Sequence, residues 1–153
     1  MGVHLTMTPT ALVLTSHGFF AFEALKSVEM ITGKPVENAG VVSVTEGKDY
    51  QQCLEELLGL VEKLDTENGV LVFCDIYGGT PANIATALAL SQKEVQVFSG
   101  LNLVMLLEVV TSREQSTLSQ LRETVQSCMG SVVVDISEKL KEMDENADQV
   151  DAY

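Results

Sequence analysis

Two histidines occur in the 153-residue chain, and one of them stands where chemistry could be done. His17 follows the short apolar run Ala11–Thr15 and sits between Ser16 and Gly18. Asp75 follows a second apolar run, Val70–Cys74, and Gly78-Gly79-Thr80 comes a few residues later. Gly100-Leu101-Asn102 follows a third run, Val95–Phe98. If each run is a parallel strand, all three polar or glycine-rich segments meet outside the carboxyl ends of one sheet, where open α/β sheets build their sites. An aspartate bonded to one imidazole nitrogen fixes the tautomer and leaves the other nitrogen bare as acceptor or nucleophile. Gly78-Gly79-Thr80 offers backbone N–H groups at a helix start, where the helix dipole also favours an anion. Taken singly, each feature has a plain alternative: a turn histidine bonding nearby backbone, a turn aspartate, a tight strand-to-helix connection. The segment is neither a Walker A loop nor a GxGxxG fingerprint, so a nucleotide site has no support.

The elements that must position these residues follow from periodicity. Ala11–Thr15, Val41–Val44, Val70–Cys74 and Val95–Phe98 are short apolar runs bounded by turn residues, which predicts buried strands. Between them, Ala21, Ala24, Leu25, Val28 and Ile31 recur at helical steps, as do Cys53, Leu54, Leu57, Leu58, Val61 and Leu64, with Asp49 as N-cap. Thr80 is expected to cap a third helix, with Pro81 at its first position and Ile84, Ala87 and Leu88 on its buried face. Leu103–Val110 and the Leu118, Leu121, Val125 stripe predict two more helices, and Ser131–Ile136 a last strand. Strands alternating with helices imply right-handed βαβ crossovers. The expected fold is therefore α/β: an open, mainly parallel sheet of about four parallel strands plus a short C-terminal strand, with helices on both faces. Residues 1–10 are expected to be a flexible N-terminus, 11–136 one domain, and 137–153 an acidic C-terminal helix or tail.

Composition removes several function classes. Nine basic against 22 acidic side chains give a formal charge of −13, a poor match for a phosphate backbone, so no nucleic acid is expected as partner. With 46% hydrophobic and 20% charged residues the chain is globular rather than disordered. No apolar run approaches the roughly 20 residues of a membrane span. Cys53, Cys74 and Cys128 are widely spaced and odd in number, which fits reduced, mostly buried thiols rather than a disulfide or zinc framework. Met1–Thr10 lacks the pattern of a signal peptide, so a cytoplasmic location is expected.

Three ordered stretches carry a resemblance. Leu14-Thr15-Ser16-His17-Gly18 with Glu29–Gly33, Val70–Asn83 through Asp75 and Gly78-Gly79-Thr80-Pro81, and Ser99–Glu108 are similar to the motifs of one family. They resemble those of the enzyme IIA domain of the mannose-class (mannose/fructose/sorbose) bacterial phosphoenolpyruvate-dependent sugar phosphotransferase system. The resemblance implies a phosphotransferase in which His17 accepts a phosphoryl group from the phosphocarrier protein HPr and passes it to an enzyme IIB component, with Asp75 orienting the histidine. It implies that Gly78, Gly79 and Thr80 bind the phosphoryl group, with no metal and no cofactor. Membrane permease components would be indirect partners. A homodimer is also implied, in which Ser131–Ile136 crosses to the other subunit's sheet. Val104 stands where the family commonly has proline and Ala82 where phenylalanine is frequent; neither is the acceptor. Two other readings are a non-catalytic regulatory or sensor domain of the same fold, and a metal-assisted hydrolase using His17, Asp75 and Cys74. Cys74 and Asp75 are adjacent on a strand, so their side chains should point to opposite faces, which disfavours a shared metal.

Overall fold

The computed structural model describes residues 8–150, with side chains described to residue 147. Four strands, β1 (Ala11–His17), β2 (Ala39–Val44), β3 (Val70–Cys74) and β4 (Val95–Ser99), form one sheet in the order β2-β1-β3-β4. Every neighbouring pair is parallel. A parallel sheet covered on both faces needs apolar side chains in both directions, which is why the strands read as continuous apolar runs. β1 shows this directly. Leu12 and Leu14 join Phe73 on one face, while Ala11 and Val13 join Val70 and Val72 on the other.

The first face is covered by α1 (Phe20–Thr32), α4 (Leu103–Ser112) and α5 (Leu118–Cys128), through Val28, Leu106, Val109 and Leu121. The second is covered by α2 (Tyr50–Lys63) and α3 (Thr80–Ser91), through Cys53, Leu57, Ile84 and Leu88. Asp49 caps α2 as expected: its carboxylate accepts the Gln52 N–H while the Gln52 side chain accepts the Asp49 N–H. Ala85, not Ala87, lies on the buried face of α3, and Ile31 at the end of α1 is exposed.

Opposite the site, Arg113 is buried and donates to the carbonyls of Thr10, Asn38 and Glu37. Burial pushes its guanidinium down to about 10. It ties the starts of β1 and β2 together. Thr10 adds a bond to the Asn68 carbonyl.

Three expectations are corrected. β1 runs on to His17, whose Cα pairs with Val44, so the histidine is the last strand residue and not part of the turn. The ladder carries on because the Gly18 N–H still reaches the Val44 carbonyl, and buried Ser16 is satisfied by accepting the Ala21 N–H. Second, Ser131–Ile136 is not a strand. Met129–Ser131 forms a short 3-10 turn, and Ile136 opens α6 (Ile136–Val150). A β-branched run becomes a strand only against a free sheet edge, and within the chain this segment pairs with none of β1–β4. Third, the cap of α3 is Gly79, and Thr80 is its first helical residue. His4 and Asp151–Tyr153 lie outside the described residues.

Candidate functional site

The order β2-β1-β3-β4 places a topological switch point between β1 and β3, where successive crossovers leave toward opposite faces. His17 ends β1 and Asp75 follows β3 at that point. The side chains meet: His17 Nδ1 lies 2.8 Å from Asp75 Oδ2. The same oxygen accepts the His17 main-chain N–H at 2.8 Å, and Asp75 Oδ1 accepts the Ile76 N–H at 2.8 Å. Both carboxylate oxygens are thus occupied, so the aspartate cannot turn without losing bonds.

Burial opposes ionisation of Asp75, but the hydrogen bonds from the His17 amide, the His17 ring and the Ile76 amide outweigh it and hold the carboxyl below its ordinary value. A carboxylate so held keeps the proton of a neutral His17 on Nδ1 and leaves Nε2 as the free nitrogen. The His17 side chain is 51% exposed, while that of Asp75 is only 12% exposed.

The Nε2 edge of the ring faces Gly79. A Cβ on Gly79 would stand 3.2 Å from His17 Cε1 and 3.3 Å from Nε2, close enough that the ring or the loop would have to give by a few tenths of an ångström. Gly79 also has φ 82° and ψ 175°, a region that side chains essentially exclude. Gly78 shares the positive φ but has open space around it. The start of α3 therefore comes against the histidine backbone first, with orphan N–H groups and the positive end of the helix dipole beside Nε2.

The loop after β4 completes the arrangement. Gly100 N–H donates to the Asp75 carbonyl at 3.0 Å and Leu101 N–H to the Cys74 carbonyl at 3.0 Å. Asn102 caps α4 by accepting the Met105 N–H. Cys74 is turned away: its buried thiol donates to the Phe98 carbonyl at 3.5 Å, and burial, then the charge of Asp75, pushes its ionisation up. Among the described residues no cluster of three His, Cys, Asp or Glu side chains could hold a metal.

Sequence reasoning missed the surroundings of the histidine. Phe19 and Phe20 after β1, Ile76 and Tyr77 after β3, and Leu103 and Val104 after β4 are all exposed, Tyr77 to 93%. No lysine or arginine lies in these three loops. These three loops carry no charge apart from the His17–Asp75 pair. Aromatic residues beside glycines were the one faint signal, and composition alone does not separate them from core residues.

The fold and this site define a class: an open parallel α/β domain presenting one aspartate-oriented histidine at its switch point. A family model described as EIIA-man, PTS system fructose IIA component, matches residues 11–126. The chain belongs to that family of phosphotransferase-system IIA components. It is 34% identical over 104 residues to the mannose-specific EIIAB component of Escherichia coli strain K12, covering 68% of this chain and 32% of the relative. The chain thus spans about a third of that relative's length. Over 111 residues it is 31% identical to the fructose-specific EIIA component of Bacillus subtilis, covering 72% of this chain and 75% of the relative. The crystal structure of phosphotransferase system component EIIA from Streptococcus agalactiae superposes with a TM-score of 0.76 at 30% identity, covering 84% of this chain and 98% of that one. Among the described residues no helix is long and apolar enough to cross a membrane.

Proposed function

We propose that this IIA component is a phosphoryl carrier: His17 takes a phosphoryl group from phosphorylated HPr and delivers it to an enzyme IIB component for sugar uptake with phosphorylation. The observation that supports it most is the division of labour on one ring, with Nδ1 held by Asp75 at 2.8 Å and the Nε2 edge open beside Gly79. The Nε2 lone pair attacks phosphorus. A new N–P bond forms as the bond to the donor breaks, and that electron pair returns to the donor. The Nδ1 proton stays on the ring, whose positive charge is stabilised by the Asp75 carboxylate. Delivery to IIB runs the same steps in reverse, with the IIB acceptor as nucleophile.

The phosphoryl oxygens are held by backbone N–H groups at Gly79 and Thr80, the Thr80 hydroxyl and the α3 N-terminus. With no cation in the three loops, binding is moderate, which suits a carrier that must release its cargo. The apolar rim of Phe19, Phe20, Ile76, Tyr77 and Val104 gives both partners the same docking face, so they exchange in turn. The protein works in the cytoplasm as a homodimer.

Incubation with phosphoenolpyruvate, enzyme I and HPr, followed by mass spectrometry under alkaline conditions, is expected to place the phosphoryl group on His17 alone. Acid-stable phosphate on Thr80 or Ser16 would overturn the scheme, and no label at all would favour a regulatory domain. Removing the hydroxyl in Thr80→Ala is expected to cost about 1–3 kcal/mol of charge-assisted hydrogen bonding, roughly 5- to 150-fold in transfer. Thr80→Ser keeps the donor and should be nearly silent. If Thr80→Ala transfers as well as wild type, the hydroxyl is not a donor.

A further inference from the structure

Helix α6 (Ile136–Val150) lies beyond residues 11–126, the part of the chain that matches its family. Its apolar positions are Ile136, Leu140, Met143, Ala147 and Val150, spaced alternately four and three apart. That is a strict 3.5-residue repeat over two heptads, the seam of a left-handed coiled coil, and narrower than the stripe of a helix lying on a globular core. The seam faces water: Ile136, Leu140 and Met143 are 70%, 57% and 67% exposed. The exposed apolar surface continues upstream through Met129, Val133 and Val134. Glu138, Lys141, Glu142 and Glu145 occupy the outward positions, with Lys141 and Glu138 paired at 3.4 Å.

What covers the seam can be read from its flanks. Lys139 borders it on one side and Asp144 on the other, five residues later. When two such helices run parallel, these are the positions that face each other across the interface. Lys139 of one copy would meet Asp144 of the second, twice over by symmetry. An antiparallel pair brings like flanks together and loses both attractions. Each copy carries −13, so the bodies repel and association needs a local apolar contact with attractive edges.

We propose that α6 is a self-association element that pairs in parallel with α6 of a second copy of this chain. Fifteen residues give a seam of about 22 Å, short enough that pairing depends on concentration.

The test uses the full chain carrying Cys128→Ser, which removes the one partly exposed thiol; Cys53 and Cys74 are buried. Met143→Cys puts a thiol on the seam and Glu142→Cys puts one on the outward face. Under mild oxidation, Met143→Cys is expected to form disulfide-linked dimers with about tenfold higher yield than Glu142→Cys, because only facing seam positions meet the distance requirement of a disulfide. Adding Lys139→Asp should suppress the cross-link, and adding Asp144→Lys to that variant should restore it. Equal yields from the two cysteines, or no linked dimer from Met143→Cys, would overturn the proposal, as would a yield indifferent to the charge changes. The readout is local to α6, so it separates this pairing from any dimer built by Ser131–Ile136 and from loss of phosphoryl transfer.

Discussion

An Asp75→Asn variant is expected to keep the fold and to lose about 100-fold or more of its phosphoryl-transfer rate. Asp75 accepts three hydrogen bonds, two on Oδ2 from the His17 amide and ring and one on Oδ1 from the Ile76 amide. An asparagine has one oxygen and one NH2 for the same three donors. If its oxygen stays with His17, the NH2 confronts the Ile76 N–H. If it flips, the NH2 confronts the His17 amide and pushes the ring proton to Nε2, which removes the nucleophile. Either way one donor faces another, at a stability cost of about 1–3 kcal/mol. Neither form can stabilise a positively charged phosphohistidine as a carboxylate does.

The acid side of the stability profile gives a second reading of the same residue. The Asp75 carboxyl sits below its ordinary value in the folded protein. Its contribution is therefore fully present above the unfolded value of about 3.9 and is lost as pH falls through the lower folded value. Wild type should lose stability over that window more steeply than Asp75→Asn, in thermal melts across pH. Matching acid profiles together with an unchanged transfer rate would remove Asp75 from the mechanism.

The parallel sheet was legible because strands buried on both faces cannot hide their composition. Val70–Cys74 is apolar at every position and buried at every position. Helix periods were legible for the same reason, as with Cys53, Leu57 and Val61 on α2. The end of β1 was not. Ser16 and His17 are polar and look like a turn, yet a strand ends where its ladder ends, and that depends on Val44 of another strand. The Ser131–Ile136 run carries a strong strand propensity in Val132, Val133 and Val134, but propensity does not supply an edge to pair with.

At the site, the meeting of His17 with Asp75 followed from topology, because both residues leave neighbouring strands at their carboxyl ends. The bond from the His17 amide to the same carboxylate oxygen was invisible, since it is set by the exact path of the chain after Cys74. The exposed apolar rim was also hidden. Ile76 and Tyr77 have the same composition as core residues, and only their 58% and 93% exposure separates them.

Gly79→Ala is expected to reduce transfer by about 100-fold while Gly78→Ala stays within a few-fold of wild type. The two glycines are neighbours with almost the same φ, 82° and 86°, so each substitution forces a side chain into a conformation it resists, at about 1–3 kcal/mol. The positive φ is common to both. They differ in what the new methyl group meets. At Gly78 there is nothing within 4 Å. At Gly79 the methyl would stand 3.2 Å from His17 Cε1 and 3.3 Å from Nε2, tighter than carbon normally approaches and directly against the nitrogen that must reach phosphorus. The ring is held on its other side by the 2.8 Å bond to Asp75, so backing away stretches that bond. Otherwise the start of α3 has to retreat, carrying with it the N–H groups proposed to hold the phosphoryl oxygens. Stability should therefore fall in both variants, and transfer should fall in one. Measuring both by thermal melting and by label transfer from phosphorylated HPr separates strain from access. Equal loss of transfer in both variants would mean that loop conformation, and not the space beside Nε2, is what the glycines provide.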